Sequence, residues 1–590
     1  MNLKRDILSI GLFCLVYSIL ALFIDNSYYL LLMTIVPIWA MMGMSWNLFS
    51  GYSGLISFGH AAFFGLGAYL VAILLGNWNV SPWIGVPLAG VLGGLAAALV
   101  GIPTFRLRGH YFALAMLAYP LALLYIFEWL GFQELALPMK REAPALFMQF
   151  ENQHIYVFIA LFLLAMAMVV TSFLSRSRFG MSLLALKQDE EAAEASGINT
   201  HMWKVFAIAI SGALAGVAGG FYAVVLLVVT PLAVFGMLVS AQALVIAMFG
   251  GVGTLWGPII GAFILVPLSE ILYAQYAADF PGIQGVIYGV AIMTVILVAP
   301  EGVIWKIKTW LRPKQARVIG ATTCQLNTLV NEDILAVEQS DIKTNDILKV
   351  ENLSKAFGGL KAIQNLSFSV QQGELLGVIG PNGAGKTTLF NLLNGFQTPD
   401  AGTVTFRDKP LKKLRPNKIC HLGVARTFQV PKPFTRISVF DNVVVGAYVR
   451  SRTNHEASEL ASAALKLVGL QALANSPAAN LTNRELRLME LARALASKPA
   501  LILVDEILAG LDSAATKAVV HALKKVTTLG ITIVIIEHSM KTMVELVDRF
   551  IVLDHGALLT EGSPENIVKD EKVIEAYLGK KWLEANAEVK

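Results

Sequence analysis

Before Trp310 the chain is a succession of about ten apolar stretches, each near the roughly 20 residues that a helix needs to cross a bilayer. They run from Ile7 to Ile24 and then at 28–50, 55–75, 83–105, 110–131, 155–175, 204–230, 236–253, 255–275 and 283–299. Backbone polar groups inside hydrocarbon must be satisfied within their own segment, so runs of this length demand helices. The whole chain is 56% hydrophobic and only 15% charged, against about 25% charged in soluble domains. Its mean hydropathy is +0.63. Almost all the apolar excess lies before Trp310, and the remainder has ordinary soluble composition. Two physical environments therefore share one polypeptide.

Met1 to Asp6 is short and basic, but no small-residue cleavage site follows the first apolar run and the next begins almost at once. This reads as a retained first helix. With the N-terminus inside, Lys4, Arg5, Arg106, Arg108, Arg176, Arg178, Lys187, Lys204, Lys306 and Lys308 fall on the cytoplasmic side, leaving Lys140 and Arg141 as the main exceptions in a longer outer loop. An even number of spans also returns the chain to the cytoplasm. Cys14, Cys324 and Cys420 are too scattered for a disulfide framework or a metal site. The net charge of +5 is modest, and nothing in its placement points to nucleic acid.

Two stretches of the apolar half stand out. Gly51 to Tyr69 packs small residues so densely that helices, or unwound backbone, can approach closely. Helix packing and the lining of a transport path are both open readings of it, as a packing role and a lining role are for His60. The Gly-rich segments at 51–75 and 236–261 can each be broken or re-entrant. The second stretch, Arg176 to Lys204, contains Asp189, Glu190, Glu191, Ala192, Ala193 and Glu194 ahead of Gly197. An acidic first turn, alanines and a glycine stop describe a short surface helix.

In the soluble half, Leu375 to Ile379 reads as a buried strand and Leu389 to Leu393 as a helix. Between them stand Gly380, Pro381, Asn382, Gly383, Ala384, Gly385, Lys386, Thr387 and Thr388. Small residues let backbone N–H groups curl round a phosphate chain, the helix N-terminus adds a favourable dipole, and Lys386 can reach the β and γ phosphates. The Thr387 hydroxyl is placed for Mg²⁺, with Thr388 beside it for a second phosphate oxygen. A second apolar strand ends in Asp505 and Glu506. Asp505 can hold Mg²⁺ through water, and Glu506 can polarise an attacking water. A third ends at His538, whose imidazole can hold the γ-phosphate. Runs at Leu348 to Asn352, Leu366 to Val370 and Thr403 to Arg407 suggest a small antiparallel sheet. Phe357 lies between two of them, where an aromatic can stack on adenine.

Several motifs carry family resemblances. Gly51 to Tyr69, Arg106 to Tyr111, Glu191-Ala192-Ala193 with Gly197, and Gly250 to Pro258 resemble the permease subunit of branched-chain amino-acid (Liv-type) ABC importers. The Glu191 to Gly197 segment is similar to the loop by which such permeases dock on their ATPases. The phosphate loop, Gln429, the Asp505-Glu506 pair, Gly510-Leu511-Asp512 and His538, followed by Gly562 to Glu565 and Ala576 to Gly579, resemble the Liv-type ATPase subunit. That resemblance implies that Gln429 contacts Mg²⁺ and couples to the permease, and that His538 is the switch histidine. One departure is plain. Where the family has a Ser-Gly-Gly-Gln or Ser-Tyr-Gly-Gln signature after leucine, this chain has Thr482, Asn483, Arg484 and Glu485. A missing glycine and an added guanidinium impair the approach of bare backbone to a γ-phosphate. In ABC dimers that site belongs to the partner's phosphate loop.

The expected architecture is an N-terminal polytopic all-α membrane domain over residues 1–311 and a flexible cytoplasmic linker over 312–346, with a C-terminal α/β P-loop ABC ATPase domain over 347–590. A linker of roughly 35 residues has an end-to-end distance on the order of 30 Å. The resemblance implies a fused permease and ATPase of a bacterial inner-membrane importer that uses ATP and Mg²⁺. Its implied partners are a second permease, a second ABC ATPase and a periplasmic solute-binding protein. An ABC exporter half and an ATP-binding sensor or scaffold are the competing readings. About ten short spans argue against the first, and intact Lys386, Glu506 and His538 against the second.

Overall fold

The computed structural model describes residues 3–107, 109–140, 142–276, 278, 280, 282–298, 302–311, 332–336 and 346–578. Arg108, Arg141, Cys324, Gly579 and most of 312–346 lie outside them. Two compact units emerge: Met1–Lys187 with Thr200–Gln315, and Gln188–Asn199 with Ala316–Lys590.

The first unit is helical: α1 (Leu3–Leu22), α2 (Ser27–Trp46), α3 (His60–Trp78), α4 (Pro82–Thr104), α5 (His110–Trp129), α6 (His154–Arg176) and α7 (Arg178–Gln188), whose last residue already belongs to the second unit. After α8 (Glu190–Ala195), also in the second unit, come α9 (Thr200–Leu226), α10 (Pro231–Phe235), α11 (Met237–Gly250), α12 (Gly257–Tyr276), α13 (Ile283–Val298) and α14 (Val303–Leu311). A two-residue antiparallel pair, β1 (Leu135–Ala136) and β2 (Val228–Val229), ties two of the connections together. Among the described residues 9 helical segments are long and apolar enough to cross a membrane. The tenth stretch is α13, which is described over 16 residues and is not among these 9. The even count expected from charge rests on that helix.

Both Gly-rich segments are broken. Helix α2 opens into a π-turn at Asn47–Gly51, and regular structure resumes only at His60. A second break separates α11 from α12. Small residues bring α3, α4 and α9 together; at Gly219 a Cβ would stand 1.9 Å from Phe64 O, so only glycine fits. His60 is fully buried, with Nδ1 3.1 Å from Ser57 Oγ and Nε2 2.7 Å from Ser211 Oγ on α9. Within this unit it is a hydrogen-bonded packing residue. The buried Asp6 of α1 accepts from Ser172 Oγ (2.8 Å) and from Arg176 of α6, a paired charge near the start of the chain.

The second unit contains two sheets. The antiparallel one has the order β4 (Leu360–Gln371), β3 (Asp346–Phe357), β6 (Ala401–Phe406), β7 (Lys409–Pro410), as the apolar runs suggest. The other has the order β12 (Ala557–Gly562), β11 (Arg549–Asp554), β5 (Leu375–Ile379), β10 (Thr532–Ile536), β9 (Leu501–Asp505), β8 (Val424–Arg426). All but β12 run parallel, and every residue of β5, β9 and β10 is buried, which is why they read as unbroken apolar runs. One apolar layer fills the space between the sheets, and another joins the large sheet to its helices. Leu335, inside the stretch expected to be a flexible linker, is fully buried in that helical core, on a 3-10 turn at Glu332–Leu335. Part of the tether is thus an anchor.

Candidate nucleotide site

Strand register gathers the predicted residues. Ile536 of β10 pairs with Val378 of β5 on one side and Asp505 of β9 on the other. The segments leaving the carboxyl ends of these three strands therefore open on one edge, where open α/β sheets bind ligands.

Helix α15 (Lys386–Leu393) begins directly after Gly385, whose φ is 95° and where a Cβ would lie 2.4 Å from Ala362 O. The turn requires glycine. Asn382, Gly383 and Thr387 face solvent, Ala384 packs inward, and Pro381 and Thr388 are half-buried. The Lys386 ammonium donates to Gly380 O at 2.7 Å and Pro381 O at 3.0 Å. Burial lowers its pKa, while Glu506 and Asp505 oppose the shift. Phe357, at the end of β3, is 43% exposed, with the Lys355 ammonium 5.5 Å from its ring centre. It is a surface aromatic rather than a core one.

Glu506, Gln429 and His538 meet. Gln429 Nε2 donates to Glu506 Oε2 at 2.8 Å, and His538 Nε2 lies 2.7 Å from Oε1. Glu506 itself has φ 45°, a region that non-glycine residues seldom occupy. Its N–H donates to Ile536 O (2.9 Å) and its carbonyl accepts from Arg487 Nη1 (2.7 Å). Asp505 Oδ2 accepts from Arg426 Nη2 at 3.1 Å, whereas Oδ1 is buried without a protein partner. A buried carboxylate oxygen of this kind, with the Thr387 hydroxyl in the first turn of α15 at the same edge of the sheet, is a donor set suited to Mg²⁺. Burial raises the Asp505 pKa, with Arg426 opposing.

Several residues that sequence reasoning missed hold this arrangement. The Arg426 guanidinium lies among the rings of Phe390, Phe396 and Phe428 and donates to Asn391 Oδ1 (2.6 Å). On α16 (Asn483–Ala496), Glu490 accepts from the backbone N–H of Phe428 (3.3 Å) and Lys432 (2.9 Å), and Arg493 donates to Lys432 O (2.9 Å). Glu537 accepts from Leu508 N–H at 2.6 Å, and burial pushes its pKa up to about 7. A signal exists only for the helix, where charged residues fall on the face that its leucines bury.

The degenerate signature starts that helix. Thr482 and Glu485 form a capping box, with Glu485 Oε2 accepting from Thr482 N–H (2.8 Å) and Thr482 Oγ1 accepting from Glu485 N–H (3.4 Å). Asn483 and Arg484 are exposed. Both polar side chains of the box serve the helix end.

Within the same unit, the 188–199 segment packs beside the Gln429 loop. Asp189 caps α8, and Gly197 stops it with φ 85°. Ala192 and Ala193 are fully buried, while the Glu191 carboxylate accepts from Lys432 Nζ at 2.5 Å and Asp189 lies 3.2 Å from the same ammonium. Gln188 Oε1 accepts from Thr435 Oγ1 (3.0 Å) and Arg436 N–H (2.8 Å).

Residues 28–299 match a family described as the branched-chain amino acid transport system permease component, and 363–509 match the ABC transporter family. Residues 557–581 match a branched-chain amino acid ATP-binding cassette transporter family. The probable branched-chain amino acid transport ATP-binding protein LivG of Archaeoglobus fulgidus is 34% identical over 245 residues, 40% of this chain and 95% of that protein. The high-affinity LivG of Salmonella typhimurium is 36% identical over 249 residues, and BraF of Pseudomonas aeruginosa 35% over 251, each covering 40% of this chain and 98% of the relative. A solved nucleotide-free ATP-binding cassette from an ABC transporter is 31% identical, covering 40% of this chain and 100% of that one, at a TM-score of 0.37. An exporter half and an idle sensor both lose ground to the permease and ATP-binding family matches and to the LivG and BraF relatives. The chain belongs to the branched-chain amino acid ABC transporter family, an ATPase coupled to transmembrane transport with permease and ATP-binding components in one polypeptide.

Proposed function

We propose that this protein imports branched-chain amino acids or related small polar solutes across a bacterial inner membrane, with its ATPase domain in the cytoplasm. Residues 1–311 are the permease, 312–346 the connection and 347–590 the ATPase. The chain works with a second permease and a second ABC ATPase, and takes solute from a periplasmic binding protein. Membership of the branched-chain amino acid transport family supports the direction.

The observation that carries the reading is the meeting of Gln429 and His538 on the two oxygens of Glu506, beside the strand that delivers Lys386. ATP binds with its phosphates on 380–388 and its adenine against Phe357. Thr387, Gln429 and Asp505 would hold Mg²⁺, which would neutralise phosphate charge there. Glu506 orients the attacking water, and His538 bridges it to the γ-phosphate. The Glu191 to Gly197 segment transmits closure of the nucleotide domains to the permease. Hydrolysis is unequal: the site built on Lys386 turns over, and the partner's site, facing Arg484, is impaired.

Solute accumulation in liposomes holding the assembled complex, its binding protein and internal ATP tests this. Accumulation that depends on ATP and disappears in Lys386→Ala is the expected result. Transport indifferent to Lys386→Ala, or running outward, overturns it.

A further inference from the structure

Two hydrogen-bonded clusters lie on either side of the peptide bond between Lys187 and Gln188. In the membrane unit, the π-turn Asn47–Gly51 ends α2 and leads into the unwound stretch before His60. A π-turn in a membrane helix leaves backbone carbonyls to be satisfied by other groups and recurs at functional sites. The buried Asn47 accepts from Gly253 N–H at 2.7 Å and donates to Thr254 O at 2.9 Å, so it staples this break to the one between α11 and α12. Lys187, in the last turn of α7, donates its ammonium to Gly51 O at 2.7 Å. Its stem passes over Gly54, where a Cβ would stand 2.8 Å from Lys187 Cγ.

On the nucleotide side, Gln188 accepts from Thr435 and Arg436, while Asp189 and Glu191 accept from Lys432. The backbone of Lys432 is in turn held at both its N–H and its C=O by Glu490 and Arg493. Neighbouring residues thus grip a broken membrane helix and the loop that follows Gln429.

We propose that Lys187 is a positioning residue that carries movement of the 429–436 loop to the helix break at 47–59. The inference rests on the transporter reading above and names the permease-side end of its coupling. Gln188 follows Lys187 directly in the chain, and the Lys187 ammonium holds a carbonyl at the point where helix geometry is already lost. A break of this kind is a natural two-state element.

The test uses the assembled complex in liposomes with its binding protein, measuring solute accumulated and ATP hydrolysed in the same vesicles. Lys187→Met is expected to keep ATP turnover without solute within about twofold of the parent, while solute moved per ATP falls about tenfold, a size usual for coupling between sites. Lys187→Arg, which keeps a cationic donor, restores most of the ratio. Lys187→Gln, whose shorter, uncharged side chain loses the reach to Gly51 O, lowers the ratio in the same direction and decides the matter if Lys187→Met fails to assemble. A parental ratio in Lys187→Met, or in Lys187→Gln when it stands alone, overturns the proposal, as does a proportional loss of both activities. An unmodified complex that accumulates no solute instead refutes the importer reading, and the two failures are distinct.

Discussion

Arg487 Nη1 donates to the main-chain carbonyl of Glu506 at 2.7 Å, and its Nη2 to Ala509 O at 3.0 Å. A residue on the signature helix thereby fixes the peptide that carries the carboxylate between Gln429 and His538. The Glu506 backbone, at φ 45°, is held in a sparsely populated conformation by this bond and by its own N–H on Ile536 O. Removing the guanidinium frees that peptide to relax, and small misplacements of a catalytic group are costly. Arg487→Met is expected to lower ATP turnover by about tenfold or more with nucleotide affinity little changed. Arg487→Lys recovers part of it. Turnover against ATP concentration, paired with binding of a non-hydrolysable analogue, separates the two; a change confined to affinity refutes the positioning role.

Capping and the altered signature bear on the proposed asymmetry. Thr482 and Glu485 engage each other at the start of α16, and exposed Arg484 stands where a glycine would bare the backbone. If only the site built on Lys386 turns over, Glu506→Gln removes nearly all ATPase activity of the assembled complex, by about a hundredfold. Arg484→Gly, in contrast, raises turnover. More than half the activity surviving in Glu506→Gln would exclude unequal hydrolysis.

How much of this could be read from the chain depended on whether a residue's partner was near in sequence. The phosphate loop, Asp505, Glu506 and His538 were legible because each follows an apolar run that can only be a buried strand, and parallel pairing then aligns the strand ends. Gly-rich composition also foretold the two helix breaks. Arg426 was not legible, since a charge at a strand end reads as solvated, and Arg487, Glu490 and Arg493 were legible only as charges on the helix face that leucines bury; all four are buried, and their partners were not legible. His60 needed Ser211 on α9 to choose between its two roles, and Leu335 needed a core more than a hundred residues downstream to become an anchor. Nothing local encodes such pairings.

The buried pair Arg426 and Asp505 yields a stability prediction. Their side chains are 4% and 1% exposed, and burial disfavours the charge on both, each offsetting it for the other. Arg426→Met leaves the Asp505 carboxylate buried without its cation, at a cost of about 3–5 kcal/mol. Asp505→Asn in that background returns much of it, because the amide carries no charge to desolvate. Thermal unfolding of the purified full chain measures both; additive losses in the double variant would mean that the pair is not coupled.

Glu537 gives a pH dependence with a definite sign. Its carboxyl is 2% exposed and accepts from Leu508 N–H at 2.6 Å. Burial, with Glu506 adding to it, raises its pKa from an ordinary 4.5 to about 7, against the lowering effect of the Leu508 and His538 N–H groups. The folded protein therefore holds this proton more tightly than the unfolded chain does. The stability so gained is complete below pH 4.5 and is lost as pH climbs through 7, a difference on the order of 3 kcal/mol. Glu537→Gln keeps an acceptor for Leu508 but has no proton to lose. It is expected to melt several degrees above the parent at pH 8, with the gap closing towards pH 5. A gap of equal size at both values would place the effect in packing rather than in ionisation.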